Sequence, residues 1–261
     1  MSLCLLDNRA VISLEGRDKL LFLNNILSND ISAISDNKLM YALMLSPQGK
    51  YLSDFFIHEN NDTFYLDIPS DIAENVTKKL NVYKLRSDVI IKQTNKNVYF
   101  SDTYIENAYE DPRLKNLGFR LYAEEIKGIE FGFDYKSHAI SHVIPEHGAE
   151  LLPDKTFPLE VGMDHINAIN FKKGCYVGQE VTARTKYRGV VRKAMYNVLA
   201  DFDLKDGDII LNGQAHEIGK ITKSLNKAGN SIIRDVETDM SLPNILGKEV
   251  KLSKAAWYKD E

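Results

Sequence analysis

The sequence predicts an α+β protein that ends in an all-β part, and two textures carry that prediction. Up to about residue 185, β-branched and aromatic runs interleave with helical periodicity and are joined by short hairpins, the mark of a mixed rather than a doubly wound parallel sheet. From about Val190 onward, short apolar runs alternate with Gly, Asn and Asp turns, as in a small β-barrel or sandwich. The texture changes between 185 and 195, so the expected division is an α+β region over 1–188 and a C-terminal β-barrel over 189–261.

The elements follow in order. A strand-like run begins almost at once, and Arg9 to Leu14 reads as a strand. Gly16-Arg17-Asp18 opens a helix with Leu20, Leu21, Leu23, Ile26 and Leu27 as its apolar positions, and Asp18 suits the positive end of the helix dipole. Leu39 to Leu45 is a strand closed by the turn Ser46-Pro47-Gln48-Gly49-Lys50, where Pro sets φ and Gly permits the reversal. Tyr51 to His58 returns as its hairpin partner, with Asp54 facing solvent or a pocket. Thr63 to Ile68 is a third strand, Ser70 to Tyr83 a helix, and Val89 to Ile91 and Val98 to Phe100 further strands. Beyond the boundary, strands are expected at Ala194 to Leu199, Asp208 to Leu211, His216 to Ile221, Ser231 to Val236 and Glu249 to Leu252, with one short helix near Leu242 to Leu246.

The 261 residues, 44% hydrophobic and 27% charged, have the composition of a soluble globular protein with a sizeable core. No apolar run approaches the ~20 residues that cross a bilayer. The first residues, Met1 to Asp7, show neither a secretory signal nor an Arg-rich presequence, and a cytoplasmic location is expected. Two cysteines, Cys4 and Cys175, make no disulfide framework and suit a reducing compartment. A net charge of −4 argues against general nucleic-acid binding.

The charge is uneven. Phe171 to Lys193 holds seven Lys and Arg residues against one acid, Glu180. Within it, Gly174 and Gly178 flank Cys175-Tyr176-Val177, so the backbone can turn sharply and present the thiol. Positive surroundings favour a thiolate, a stronger nucleophile and soft-metal ligand. The same residues also read as a small buried cysteine beside a solvated basic face. The stripe, with Tyr176 and Tyr187, equally suits phosphates, a small polyanion or an acidic partner. His138, His142 and His147 have ligand-like spacing, but Pro145 interrupts them and no cysteine or carboxylate completes a set, so no resident metal is expected. Isolated His58, His165 and His216 read as structural, and no P-loop, Rossmann, HExxH or nucleophile-elbow pattern is present.

Lys173-Gly174-Cys175-Tyr176-Val177-Gly178-Gln179-Glu180, followed by Arg184 and Arg188-Gly189-Val190-Val191-Arg192, closely resembles the signature of the YgfZ-type folate-binding proteins of iron–sulfur cluster metabolism. Further pieces occur in the family's order: Gly16-Arg17-Asp18, Ser28-Asn29-Asp30-Ile31, Ser46 to Lys50 with Asp54, Tyr83 to Val89, Asp111 to Leu114, Leu117 to Arg120, Phe157 to Glu160 and Ala256-Trp257. That family is in turn similar to the aminomethyltransferase (T-protein) of the glycine cleavage system. The resemblance implies a T-protein-like ring of three subdomains around a central folate pocket, with tetrahydrofolate or a substituted folate as cofactor. It implies Cys175 as the reactive thiol and Asp54, Glu160, Lys173, Tyr176, Gln179, Glu180 and Arg184 as folate contacts. Glu160 matches the T-protein's pterin position, where a carboxylate accepts two side-by-side N–H donors. Partners implied are iron–sulfur enzymes or cluster-assembly proteins, tRNA-modifying ones included, with no membrane and no direct nucleic-acid partner. Where the T-protein carries two adjacent acids on the strand matching Tyr51 to Ile57, this chain has Ser53-Asp54. One carboxylate is missing, which favours a folate-binding accessory protein over the alternative, a one-carbon transferase acting on a small amine.

Overall fold

A computed structural model describes residues 2–35, 37–126, 130–234 and 238–258. The chain forms two compact units, Met1–Phe133 with Ile166–Glu180 and Asp134–His165 with Val181–Glu261.

The first unit is built on two five-stranded sheets. Its elements are β1 (Ser2–Leu5), β2 (Arg9–Glu15), α1 (Lys19–Ile26), β3 (Met40–Leu45), β4 (Tyr51–Asn60), β5 (Thr63–Pro69), α2 (Ala73–Tyr83), β6 (Ile90–Gln93), β7 (Asn97–Ser101), β8 (Tyr109–Glu110), β9 (Phe119–Ala123) and β10 (Glu130–Phe131). One sheet runs β3-β4-β5-β2-β6 and the other β10-β1-β7-β9-β8. The hairpin expected at Ser46 to Lys50 is there, with Leu43 opposite Asp54 and the Gly49 amide donating to the Ser46 carbonyl.

Strand β4 decides what this unit can do. Residues Tyr51 to His58 are all buried, so neither face of the strand meets water. Side chains alternate between faces along a strand. Phe55 and Ile57 enter the main apolar core with Phe22, Leu23 and Ile26 of α1, Leu66 and Ile68 of β5, and Val76 and Leu80 of α2. Each such side chain contributes about 1.5–3 kcal/mol by leaving water. The opposite face carries Asp54, Phe56 and His58, and a polar face can be buried only if its groups find partners.

The second unit holds α3 (Tyr135–Ser141), nearly all of α4 (Gln179–Arg188), and strands β11 (Lys193–Leu199), β12 (Ile209–Leu211), β13 (Glu217–Leu225), β14 (Ala228–Arg234), β15 (Asn244–Ile245), β16 (Lys248–Glu249) and β17 (Lys251–Lys254). The strands form one sheet, β16-β15-β12-β13-β14-β11-β17, curled into a half-barrel around Tyr196, Val198, Ile210, Ile221 and Ile233. This is the β-rich C-terminal part that the texture after Val190 predicts. The region 189–261 lies wholly inside the second unit, and its standing as a separate domain is a proposal.

One local expectation is corrected. The helix near Leu242 to Leu246 is instead the β15–β16 hairpin, because Leu246 and Gly247 both take positive φ (52° and 77°), the twist a two-residue hairpin turn needs. The stretch after Gly178, to which the sequence reading assigns no element, is α4, whose Glu180 in the first turn and Lys186 and Arg188 in the last suit the helix dipole. The strand expected at Ser231 to Val236 is β14, while Asp235 and Val236 lie outside the described residues.

Candidate functional site

The loop from Lys173 to Gly178 is fastened at three points and leaves its cysteine outside. Lys173 is buried, and its ammonium donates to the main-chain carbonyls of Asn24, Leu27 and Asn29 at 2.6, 2.6 and 2.7 Å. These carbonyls lie at the C-terminal end of α1, where helical carbonyls lack intrahelical partners and cations are favoured. Burial lowers the Lys173 ammonium to about 8, with Asp30 opposing that shift. Tyr176 also turns inward, its ring 5.2 Å from the Lys173 nitrogen, and burial raises its hydroxyl to about 12. Its Oη is buried with no hydrogen-bond partner among the described residues.

Gly178 is the third fastening. It sits at φ +84°, and a β-carbon there would stand 2.5 Å from the Ser46 carbonyl oxygen and 2.9 Å from the Leu45 Cβ. Only glycine permits both the conformation and the approach. Between these anchors Gly174 and Cys175 are exposed, so the thiol is presented to solvent. Ser28 and Asn29 complete the setting: Ser28 Oγ donates to the Ala168 carbonyl and accepts from the Leu43 amide, while Asn29 Nδ2 donates to the Tyr41 and Asn167 carbonyls. Three separated motifs, at Ser28, Ser46 and Lys173, are thus gathered around one cysteine.

The polar face of β4 is satisfied by a chain of alternating charges. Asp54 accepts from Arg9 at 2.9 Å and from the Tyr51 hydroxyl at 2.9 Å. Arg9 also binds Asp67, which receives Arg120 at 2.8 Å and the Tyr122 hydroxyl at 3.2 Å. Arg120 continues to Asp111 at 3.1 Å, and Asp111 to Arg113 at 2.8 Å. Three acids meet three guanidiniums, so the ladder is neutral. The Phe56 ring lies within it, with the Arg120 guanidinium carbon 3.5 Å from its centroid and those of Arg113 and Arg9 at 5.0 and 5.3 Å. Burial raises the Asp111 carboxyl, but Arg113 and Arg120 outweigh it and hold the group down at about 2. Because Arg120 and Tyr122 belong to β9 and Asp67 to β5, the ladder ties the two sheets of the unit together.

Of the folate contacts that the resemblance implies, the first unit holds Asp54, Lys173, Tyr176, Gln179 and Glu180, and the second holds Glu160 and Arg184. Glu160 lies in a single helical turn, Pro158–Val161, ended by Gly162 at φ +69°. A β-carbon on Gly162 would stand 2.4 Å from the Trp257 ring, so the Phe157-to-Glu160 and Ala256-Trp257 motifs meet here. Glu160 is 34% exposed by its side chain and binds Lys193 at 3.0 Å. Arg184 and Glu180 are exposed on α4, and Gln179 is half-buried. Lys186 pairs with Asp164 at 3.3 Å. Lys173 is thus buried, and Lys186 and Lys193 are paired with carboxylates, which thins the basic stripe as a phosphate surface.

A pterin asks for an accessible carboxylate. Glu160 fits, being partly exposed with Lys193 on only one oxygen, whereas both Asp54 oxygens are committed and its side chain is 5% exposed. Lys173 has each of its three donors on a carbonyl, so it holds the loop rather than a folate tail. The ladder residues Arg9, Asp67, Asp111, Arg113 and Arg120 were not visible as a set in the sequence, though Arg120 sits between Phe119 and Leu121 in an apolar run.

The fold is that of an aminomethyltransferase. The crystal structure of the glycine cleavage system aminomethyltransferase T from Bartonella henselae superposes with a TM-score of 0.75 over 98% of this chain and 85% of that one, at 12% identity. The sequence is similar to proteins named iron-sulfur cluster assembly factors. The mitochondrial homologue from Mycosarcoma maydis is 32% identical over 71% of this chain and 54% of its own length. The human mitochondrial protein is 26% identical over 87% of this chain and 76% of its own. The chain spans about half the length of the Mycosarcoma maydis and Neurospora crassa relatives (54% and 51%). No family model matches. The expected cytoplasmic location is corrected, since the fungal, human and mouse relatives are named mitochondrial. What the first residues lack fixes no compartment.

Proposed function

We propose that this protein is a folate-binding accessory factor in iron–sulfur cluster assembly, and that Cys175 is its reactive thiol. The carrying observation is the loop fastened by Lys173, Tyr176 and Gly178, which holds an exposed sulfur in a fixed place. An exposed thiol can bind iron, a cluster or a client's sulfur without rearranging the core. The similarity to assembly factors supports the process. Glu160 is the proposed pterin acceptor, and Tyr176, Gln179, Glu180 and Arg184 are retained as contacts to be tested one by one. A folate would supply a one-carbon carrier, while the protein's own groups bind it and present the thiol. Cluster-dependent tRNA-modifying enzymes are among the proposed clients, and the organelle of the relatives is the proposed location.

Burial of Asp54, with Arg9 on one oxygen and Tyr51 on the other, weighs against the one-carbon transferase, since the carboxylate is closed off from an incoming amine. Thermal unfolding tests the ligand. Tetrahydrofolate is expected to raise the melting temperature of the wild type, and Glu160→Gln to remove most of that rise. No protection by tetrahydrofolate or its formyl form overturns the folate half of the proposal. Separately, depletion from cells is expected to lower cluster-dependent enzyme activity at constant enzyme abundance, and unchanged activity overturns the assembly half.

A further inference from the structure

A groove of about 1020 Å³ opens on the first unit, and none of the proposed folate contacts nor Cys175 lines it. Its floor is His58, the last member of the β4 face that carries Asp54 and Phe56. The imidazole is 3% exposed and enclosed by phenol rings: Tyr65 at 5.1 Å, Tyr122 at 4.5 Å and Tyr109 at 4.7 Å. Its ring faces being covered by Tyr65 and Tyr122, the imidazole has only its edge for hydrogen bonding. Yet Nδ1 has no partner among the described residues. A buried nitrogen left unpaired costs about 1–3 kcal/mol, which a ligand donor would relieve.

The walls indicate the sign of that ligand. Glu59, Glu106 and Glu110 line the groove against one cation, Lys96. Glu59 is answered by Lys19 at 3.3 Å, whereas Glu106 and Glu110 have no ion-pair partner among the described residues. Tyr104 stands 60% exposed at the rim, edge-on to Phe119. Beside the groove, the Lys96 ammonium lies 5.2 Å from the centroid of Tyr65, the ring stacked on His58, so a cation already sits against this aromatic cluster. Burial, and then Lys96, lowers the His58 imidazole to about 3, so it is neutral and keeps a lone pair for an N–H donor. Strand β8, which supplies Tyr109 and Glu110, is the last strand of its sheet, and an edge strand offers main-chain groups to an extended peptide.

We propose that this groove binds an arginine side chain presented by an extended basic peptide of a partner protein. The guanidinium supplies several N–H donors in one plane, enough to reach a carboxylate and the His58 edge together, and its flat face suits the tyrosines. The peptide's main chain would run along β8. The proposal is independent of the folate and thiol readings.

Calorimetric titration of the full chain tests it, using acetyl-Gly-Arg-Gly-amide, its citrulline counterpart and free arginine. The arginine peptide is expected to bind saturably, with the citrulline peptide weaker by about tenfold or more, because citrulline keeps the shape and loses the charge. Free arginine is expected to bind more weakly than the peptide. Glu106→Gln with Glu110→Gln, both at exposed positions, is expected to weaken the peptide about tenfold, and His58→Phe, which keeps the stacking, to weaken it as well. Absence of binding by the arginine peptide, equal binding of the citrulline peptide, or an unchanged affinity in the double glutamine variant each overturns the cation site. Free arginine binding as tightly as the peptide overturns the peptide as the source.

Discussion

Two glycines four residues apart in the Cys175 loop are expected to respond oppositely to the same methyl group. At Gly178, alanine meets φ +84° and a carbonyl oxygen 2.5 Å from its Cβ. The left-handed conformation alone costs about 1–2 kcal/mol, and the clash is with the backbone of Ser46, which cannot swing aside. The expected loss is about 2–4 kcal/mol, or a fall in melting temperature of roughly 2–4 °C per kcal/mol for a chain of this size. At Gly174, nothing lies within 4 Å of the added carbon, and the residue is outside the positive-φ region. Alanine there removes unfolded-state freedom and is expected to be neutral or to stabilise by up to about 1 kcal/mol. Denaturant unfolding of both variants measures the difference, and the reaction rate of Cys175 with an aromatic disulfide reports on the loop itself. Gly178→Ala is expected to change that rate and Gly174→Ala to leave it nearly unaltered. Equal stability in the two variants would refute the docking of this loop on the Ser46 turn.

Two further perturbations probe the first unit. Arg120→Met removes a guanidinium that is 2% exposed and serves both Asp67 and Asp111, leaving buried carboxylates short of a partner. The expected cost is about 3–5 kcal/mol by urea unfolding, and a loss under about 1 kcal/mol would show that the ladder is not a structural tie. The second perturbation concerns pH. His58 is held down from 6.5 to about 3 by burial and Lys96, so between those values the unfolded chain binds the proton and the folded one does not. Stability is therefore full above the unfolded value and falls as pH drops, by about 2 kcal/mol between roughly pH 7 and pH 5. His58→Phe is expected to flatten the profile by that amount, and an unchanged slope would place a proton on the folded imidazole.

The strands and helices of the first unit were legible because β2 to β5 carry strong β-branched and aromatic runs bounded by clear turns, and because α2 has regular apolar spacing. The half-barrel was legible from its turn residues. What failed was short-range. Leu242 to Leu246 has enough apolar residues for a helical turn, but Leu246 adopts positive φ, which nothing in an apolar residue announces. Helix α4 has few apolar positions, its signal being the charge pattern at its ends. Among candidate site residues, Cys175 was readable as presented because glycines flank it, whereas the intramolecular partners that Asp54 and Lys173 take up were not readable. Their partners, Arg9 for one and the carbonyls at the end of α1 for the other, lie 45 and up to 149 residues away, and no local pattern reveals them. His58 read as structural, since an unpaired ring nitrogen is a property of the packed fold and not of the sequence around it.

Participation of the Cys175 sulfur in cluster assembly, as proposed above, is open to direct measurement. In cells lacking this protein, the activity of cluster-dependent enzymes is compared after supplying the wild type or Cys175→Ala at matched abundance. Because the side chain is exposed, the substitution is expected to change stability by under about 0.5 kcal/mol, so a defect cannot come from unfolding. Cys175→Ala is expected to fail to restore those activities. Full restoration by Cys175→Ala would contradict that participation.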